Sequence, residues 1–171
     1  MSPAARPAAF FDRDGVFNVD QGYVHRVEAL QWIPGGPAAV RRLNDLGYWV
    51  IVVTNQSGIG RGYYDEAAMH AVNAALAQWL ATAGGHIDAI YFAPHHEDSP
   101  FEHYRHPDHP DRKPNPGMLL RAMQDFAIDR ERSFLIGDKP SDLEAASRAG
   151  VTGYLFDGGD LDALVRSIVG G

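Results

Sequence analysis

The chain has 171 residues, of which 45% are hydrophobic and 22% charged, and this balance predicts a compact domain with a substantial core rather than a disordered chain. Its formal net charge of −7 disfavours non-specific attraction to nucleic acid or to an anionic membrane, so any bound anion needs a local site. The absence of cysteine excludes disulfides, thiol catalysis and thiolate metal sites. The sequence contains no signal-peptide core and no apolar window long enough to span a membrane, so a cytoplasmic protein is expected.

Five short apolar runs alternate with amphipathic stretches, a pattern typical of buried parallel strands joined by helices. The runs cover residues 8–11, 49–54, 89–93, 134–136 and 153–156. Between the second and third runs, the apolar spacing over residues 65–83 predicts one helix with a buried face. That face consists of Val72, Ala75, Leu76, Trp79 and Leu80. We therefore expect an α/β fold with a doubly wound, Rossmann-like parallel sheet and ligands outside the carboxyl ends of its strands.

Proline, glycine and capping residues indicate where the helices begin and end. Pro37 suits the first turn of a helix, whereas Gly47 and Gly150 suit helix ends. Ser141 and Glu144 have the spacing of a capping box, which predicts that a helix begins near Ser141.

The segment 94–115 is the longest stretch without a strand or helix pattern. Together with Pro116 it holds six of the eleven prolines, and it holds five of the eight histidines. Connections of this length are usually functional or disordered. Because no repeat or Ser/Gly-rich linker divides the sequence, residues 1–171 are expected to form a single domain that carries this His/Pro-rich loop.

Polar residues follow the first two predicted strands. The segment FFDRDG places Asp12 and Asp14 in one crevice, where a divalent cation would offset the repulsion between their carboxylates. The segment VVTNQSG places Thr54, Asn55 and Ser57 beside glycines, a combination that suits an anion. Taken alone, the carboxylate pair favours a solvated, Asp-rich turn, and the second segment has the alternative of polar turn residues that cap a helix.

Two further segments complete an ordered set. RKPNPG places Arg112 and Lys113 before a predicted helix, and FLIGDKPSD places Asp138 directly after the fourth strand. The four segments supply, in order, a carboxylate pair, a hydroxyl, a lysine and an acidic metal ligand. In this respect the chain resembles the haloacid dehalogenase (HAD) superfamily of aspartate-dependent phosphotransferases, whose four motifs match FFDRDG, VVTN, RKP and GDKPSD.

Within that superfamily, the chain is similar to the group of D-glycero-D-manno-heptose 1,7-bisphosphate phosphatases and histidinol phosphatases. The similar segments are DRDG, GYVH at residues 22–25, TNQSGIGRG, RKPNPGMLL and IGDKPSD. The resemblance spans about residues 8–156. Because the stretches after Asp14 and after the second strand are too short for a cap domain, it implies a capless phosphatase.

The resemblance also implies roles for the motif residues. Asp12 is expected to attack phosphorus and form an aspartyl-phosphate, with Asp14 as the general acid and then the general base. Lys113 and Thr54 are expected to bind the phosphoryl oxygens as their charge is redistributed.

A Mg²⁺ ion is the cofactor that the resemblance implies. Its expected ligands are Asp12, the backbone carbonyl of Asp14, and Asp138, with Asp142 orienting the metal-bound waters. The residues expected to bind substrate are Arg13, Asp20, Gln21, Gly22, Tyr23, Asn55, Gln56, Ser57 and Arg112. Among these, Arg112 suits bidentate contact with a second phosphate or with hydroxyls.

The chain departs from the family at a metal site. Many relatives bind structural zinc through a C-x-H loop and a C-x-C pair before the RKP motif, but the matching positions here are Ala93, His95, His109 and Asp111. Without the thiolates a structural zinc is not expected, although His95, His109 and Asp111 remain candidates for a weak second site. The favoured alternative is a loop ordered by its prolines and by pairing of its five acids with the histidines and Arg105.

The sequence therefore predicts a Mg²⁺-dependent phosphatase that acts on a small phosphorylated sugar, with the 7-phosphate of D-glycero-D-manno-heptose 1,7-bisphosphate as the expected group. Histidinol phosphate or another small phosphomonoester is the nearest alternative. An end-processing phosphatase for nucleic acid or protein is a further alternative, but no basic stripe accompanies the motifs. A non-enzymatic phosphosugar-binding protein would normally have lost one of the four motif residues. A monomer without a nucleic-acid or membrane partner is expected.

Overall fold

A five-stranded, entirely parallel sheet forms the centre of the fold in the computed structural model, which describes residues 3–170. Its strands are β1 (Ala8–Phe11), β2 (Trp49–Asn55), β3 (Ala89–Ala93), β4 (Phe134–Gly137) and β5 (Thr152–Leu155). Their spatial order is β3-β2-β1-β4-β5. The predicted doubly wound α/β fold without a cap domain is confirmed.

Helices cover both faces of the sheet. They are α1 (Gly36–Asp45), α2 (Ser57–Gly60), α3 (Glu66–Ala81), α4 (Gly117–Asp125), α5 (Pro140–Ala149) and α6 (Leu161–Val169). The sequence predicts one helix between β2 and β3, whereas the structure has the one-turn α2 before α3. In the part of the chain that the structure describes, no helix is both long and apolar enough to cross a membrane.

Alternate strand residues supply two separate cores. Ala9 and Phe11 face one core with side chains of α1, α3 and α6, whereas Ala8 and Phe10 face the other with side chains of α4 and α5. All four side chains are fully buried. Because fully burying a large apolar side chain contributes about 1.5–3 kcal/mol, these two layers fix the helices against the sheet.

Two local predictions need correction. The run that forms β5 was expected to be buried on both faces, but Thr152 and Leu155 are exposed because β5 is an edge strand. The capping box predicted from Ser141 and Glu144 is wrong, because α5 begins one residue before Ser141. The Asp142 carboxylate instead accepts the N–H of Lys139, at 3.1 Å.

The strand order creates a crevice at the carboxyl ends of β1 and β4. The chain runs from β1 outward to β3 on one side and from β4 outward to β5 on the other, so connections leave these two neighbours in opposite directions. Such a switch point is where doubly wound sheets bind ligands. The N–H of Asp12 donates to the carbonyl of Ile136 at 3.0 Å, which places the loops after both strands side by side.

Candidate active site

Three carboxylates converge in this crevice. Asp12 follows β1, Asp138 follows β4 and Asp142 lies in the first turn of α5. Their oxygens lie within 4.8 Å of one another, and within residues 3–170 no other three acidic or histidine side chains do so. Gly15 permits this approach, because a Cβ at that position would lie 2.0 Å from the Asp138 carboxylate.

Lys113 is the cation of this cluster and is only 4% exposed. Its Nζ lies 3.1 Å from Asp12 Oδ1 and 2.5 Å from Asp142 Oδ1. Burial disfavours the ammonium charge, but the attraction of these two carboxylates prevails and raises the pKa of Lys113. A positively charged side chain therefore faces the oxygens of Asp12 from inside the protein.

The cluster carries more negative charge than Lys113 offsets. Burial raises the pKa of Asp12 to about 7; Lys113 opposes this shift, whereas the carboxylates of Asp142 and Asp14 add to it. Burial, reinforced by Asp142, also raises the pKa of Asp138. Removing such charges from water is unfavourable unless a further partner compensates them.

A divalent cation fits this arrangement. Among the described residues, the buried Oδ1 of Asp138 has no hydrogen-bond partner, so one lone-pair site faces the cluster unused. All candidate ligands are oxygens, which is the donor type that Mg²⁺ prefers. The predicted ligands Asp12 and Asp138 belong to the cluster, and Asp142 joins them. The side chain of Asp14 lies outside it, so the expected contribution of its backbone carbonyl stays a prediction.

Three donors hold the carboxylate of Asp14. The guanidinium of Arg13 lies 3.1 Å from Oδ1, the amide of Asn18 donates to Oδ1 at 2.9 Å, and the amide of Gln56 donates to Oδ2 at 3.2 Å. Arg13 is fully buried and also donates to Asn73. The expected substrate contact of Arg13 therefore needs correction: its side chain points into the protein and orients Asp14.

A cavity of about 430 Å³ opens beside these carboxylates. Of the residues predicted to bind substrate, those on its wall are Asp20, Gly22, Tyr23, Asn55, Gln56, Ser57 and Arg112. Gln21 is exposed and does not line the cavity, so its expected substrate contact needs correction. Among the described residues, no side chain or backbone group pairs with the Arg112 guanidinium, which leaves it available to an anion.

Thr54 lies beneath the cavity rather than on its wall. Its side chain is fully buried, and its Oγ1 accepts a hydrogen bond from Gln56 Nε2 at 3.0 Å. The expected contact between this hydroxyl and a phosphoryl oxygen stays a prediction.

Three residues on the cavity wall were missed by the sequence analysis: Tyr64, Lys139 and Ser141. Lys139 forms an ion pair with Asp20 at 3.4 Å across the cavity mouth. Its place after β4 in GDKPSD was a usable signal. Tyr64 had no signal of its own, because it belongs to none of the motifs and reaches the cavity only through the turn that follows α2.

The predicted second metal site in the His/Pro-rich loop stays a prediction. His95, His109 and Asp111 do not bring three ligand atoms within 4.8 Å of one another. The two imidazoles stack face to face with centroids 3.5 Å apart, and the buried Nδ1 of His95 has no hydrogen-bond partner among the described residues. The Asp111 carboxylate binds Arg121.

The loop is not held by the predicted acid–histidine pairs. Three of its histidines accept, through Nδ1, the backbone N–H two residues further along: His96 from Asp98, His106 from Asp108, and His109 from Asp111, each at 3.0 Å. Arg105 donates to the carbonyl of Ser99. Short local turns therefore order this segment.

Known proteins resemble the chain over nearly its whole length. The family model described as HAD-hydrolase-like matches residues 111–165. A relative from Rhodopseudomonas palustris, named D-glycero-beta-D-manno-heptose-1,7-bisphosphate 7-phosphatase, is 44% identical over 98% of this chain and 93% of its own length. One from Burkholderia mallei, named as the corresponding alpha-anomer 7-phosphatase, is 45% identical over 84% of this chain and 76% of its own.

A solved structure agrees with these sequence relatives. The D,D-heptose 1,7-bisphosphate phosphatase from B. bronchiseptica, complexed with magnesium and phosphate, superposes with a TM-score of 0.79 at 31% identity. The alignment covers 96% of this chain and 87% of that structure. The chain therefore belongs to the haloacid dehalogenase superfamily, in the group of heptose bisphosphate phosphatases and histidinol phosphatases, and it is a phosphoric monoester hydrolase.

Proposed function

We propose that the chain hydrolyses the 7-phosphate of D-glycero-D-manno-heptose 1,7-bisphosphate through an aspartyl-phosphate on Asp12, with Mg²⁺ as cofactor. The observation that carries this proposal is the convergence of Asp12, Asp138 and Asp142 around the buried Lys113, at the edge of a cavity. The names of the relatives support the choice of sugar. The magnesium and phosphate in the B. bronchiseptica structure support the chemistry.

The first half-reaction transfers the phosphoryl group to the protein. A carboxylate oxygen of Asp12 attacks phosphorus, the bond from phosphorus to the sugar oxygen breaks, and its electron pair stays on that oxygen. Asp14 gives its proton to this leaving oxygen. Lys113, held beside Asp12 at 3.1 Å, faces the oxygens whose charge is redistributed.

The second half-reaction restores the enzyme. Asp14, now ionised, removes a proton from a water molecule, whose oxygen attacks phosphorus and displaces the carboxylate of Asp12. Inorganic phosphate leaves, and Asp14 keeps the proton for the next cycle. The donors on Asp14 hold its carboxylate at one place for both steps.

Mg²⁺ would be held by Asp12, Asp138 and the backbone carbonyl of Asp14. When bound, it supplies positive charge that favours the ionised form of Asp12 and neutralises phosphoryl oxygens. The nucleophile must be ionised to attack phosphorus. Because burial raises the pKa of Asp12, a nearby cation is needed to favour its ionised form.

Positive side chains on the cavity wall suit a substrate with two phosphates. Arg112 and Lys139 line the cavity together with the more deeply buried Lys113. We assign the reacting phosphate to Lys113 and the distal phosphate or sugar hydroxyls to Arg112, since a guanidinium binds such groups in a bidentate manner. A monomeric, cytoplasmic enzyme stays a prediction.

Phosphate release from a panel of substrates tests this function. The panel contains the α- and β-anomers of the heptose bisphosphate, histidinol phosphate, p-nitrophenyl phosphate and a 5′-phosphorylated oligonucleotide, each with Mg²⁺ or EDTA. We expect Mg²⁺-dependent release that is fastest with one heptose anomer and absent in Asp12→Asn. Faster release from histidinol phosphate or the oligonucleotide would overturn the heptose assignment, and release that persists in EDTA would overturn the role of the metal.

A further inference from the structure

Tyr64 stands at the end of a hydrogen-bonded chain that leads to the reacting groups. Its hydroxyl donates to Gln56 Oε1 at 2.5 Å, and Gln56 Nε2 donates to Asp14 Oδ2 at 3.2 Å and to Thr54 Oγ1 at 3.0 Å. Gln56 is only 2% exposed, so bulk water does not replace these partners. One buried amide therefore touches the carboxyl group that the proposed mechanism uses as general acid, and it also holds the buried Thr54 hydroxyl.

The orientation of that amide matters because its two ends differ. If the Gln56 side chain rotated by half a turn, Oε1 would face the Asp14 carboxylate, and two acceptors would oppose each other. A donor on Oε1 prevents this rotation. Burial raises the pKa of Tyr64 to about 12, so its hydroxyl keeps the proton that it donates.

Tyr64 is itself fixed from the substrate side of the cavity. Its ring stacks on the imidazole of His25, with centroids 4.9 Å apart and planes within 1°. His25 Nδ1 is hydrogen-bonded to the carbonyl of Tyr23 at 2.7 Å, and Tyr23 lines the cavity. Gly58 allows both tyrosines to lie close to α2, because a Cβ there would be 2.2 Å from Tyr64 and 2.8 Å from Tyr23.

We propose that Tyr64 is a positioning residue: through Gln56 it fixes the Asp14 carboxyl group, and through His25 it links the placement of that group to the substrate-facing segment at residues 22–25. This inference rests on the proposed function, since it assigns Asp14 the proton of the leaving oxygen. Tyr64 does not itself need to touch the reacting atoms. The loss of kcat/KM on removing the Tyr64 hydroxyl should therefore require Gln56, and it should be larger for a leaving group that needs a proton.

The first test compares two leaving groups in Tyr64→Phe, which keeps the stacked ring and removes the hydroxyl. The substrates are p-nitrophenyl phosphate, whose leaving group departs without a proton, and the sugar phosphate that the parent enzyme hydrolyses fastest. We expect kcat/KM to fall about tenfold for the sugar phosphate and less than about threefold for p-nitrophenyl phosphate, since one lost buried hydrogen bond has an effect of this order. Inhibition by inorganic phosphate should change less than about twofold.

The neighbouring Tyr63 provides the matched control. Its side chain is exposed, and it lies outside the cavity wall and outside this hydrogen-bonded chain. Tyr63→Phe should keep kcat/KM for both substrates within about twofold of the parent. Equal losses with both substrates in Tyr64→Phe, or no loss with either, would overturn the proposal.

A double-mutant cycle tests whether Tyr64 acts through Gln56. Gln56→Met removes the amide at similar volume and should produce the same leaving-group-selective loss. Adding Tyr64→Phe to that variant should then cost less than about twofold more, whereas independent roles would multiply the two losses. Gln56→Met by itself covers the case in which Tyr64→Phe fails to fold, because it removes the same contact to Asp14. Failure of the parent to release phosphate from any substrate would refute the proposed function, whereas an active parent with multiplicative losses refutes only the role of Tyr64.

Discussion

The crevice at the carboxyl ends of β1 and β4 and the His/Pro-rich loop at residues 94–115 both concentrate titratable side chains, but they use them differently. In the crevice, carboxylates come close together around Lys113, at the cost of a raised pKa on Asp12. In the loop, three histidines accept backbone N–H groups, and His95 stacks on His109 although its buried Nδ1 has no hydrogen-bond partner among the described residues. The crevice therefore concentrates negative charge that a cation would neutralise, whereas most of the loop histidines are paired with nearby backbone groups.

The sheet explains this difference. Parallel strands in fixed register end at one edge, so groups far apart in sequence are forced together even when they repel. The loop has no such ladder, and its side chains relax into turns of two or three residues. Carboxylates that are held close together despite their repulsion are therefore a better sign of function in this protein than a high density of histidines.

Neutralising the nucleophile should have the largest effect on turnover. In Asp12→Asn we expect Mg²⁺-dependent phosphate release to fall by roughly 1,000-fold or more, because no carboxylate oxygen remains to accept the phosphoryl group. The thermal midpoint should stay level or rise, since a buried charge is removed. Asp45→Asn, at an exposed acid of α1, serves as the control and should match the parent in both assays. Turnover near the parent level in Asp12→Asn would mean that another group is the nucleophile.

Removing the buried cation should have the largest effect on stability. Lys113→Met leaves the carboxylates of Asp12 and Asp142 without their shared partner, and breaking such a pair costs about 3–5 kcal/mol. Urea unfolding measures this loss. Lys139→Met removes an exposed lysine of the same cavity and should cost less than about 1 kcal/mol. Equal losses in the two variants would contradict the distinction between buried and exposed charge.

Metal binding should stabilise the crevice by an intermediate amount. At about 100 times its dissociation constant, Mg²⁺ should add about 2.7 kcal/mol to the free energy of unfolding, which EDTA reverses. Asp138→Asn should lose most of this gain, because a metal ligand is weakened. Differential scanning calorimetry with and without Mg²⁺ measures both effects. An undiminished gain in Asp138→Asn would place the ion elsewhere.

The loop histidines should have the smallest effect, a loss of stability on acidification. Burial lowers the pKa of both His95 and His109. The unfolded chain therefore binds more protons below the usual histidine pKa of about 6.5, so this contribution is complete above that pH and is lost as the pH falls. The raised pKa of Asp12 makes the fold more stable over the same fall in pH, so the loop contribution is measured in Asp12→Asn. After allowance for solvent screening, we expect that variant to lose roughly 0.5 kcal/mol in urea unfolding between pH 7 and 5.5.

A histidine outside the loop provides the control for the pH dependence of the free energy of unfolding. His109→Asn should reduce the pH-dependent loss, whereas His70→Asn, at an exposed position of α3, should leave it unchanged. An identical pH dependence in His109→Asn and the parent would show that the stacked imidazoles contribute nothing to it.

Individual residues show which features could be predicted from the sequence and which could not. The apolar face of α3 was predicted correctly: Val72, Leu76 and Leu80 are buried. The prediction succeeded because helical periodicity is a local property of the sequence. Asp12 and Asp138 were expected at one edge because parallel strands bring their ends together. Arg13 was assigned to substrate because it lies between two site residues, and sequence adjacency does not reveal that its side chain is buried under Asp14.

The sequence by itself determined the order of strands and helices, the four motifs and the absence of thiolate ligands, because these depend on residue type and spacing along the chain. Only the tertiary structure decided that Asp142 lies in one carboxylate cluster with Asp12 and Asp138, that Tyr64 reaches Gln56, and that His95 and His109 stack. Those contacts join elements that are distant or irregular in sequence. Their geometry follows from how α5 packs against the sheet and from the turns after α2 and within the loop, and no local pattern records it.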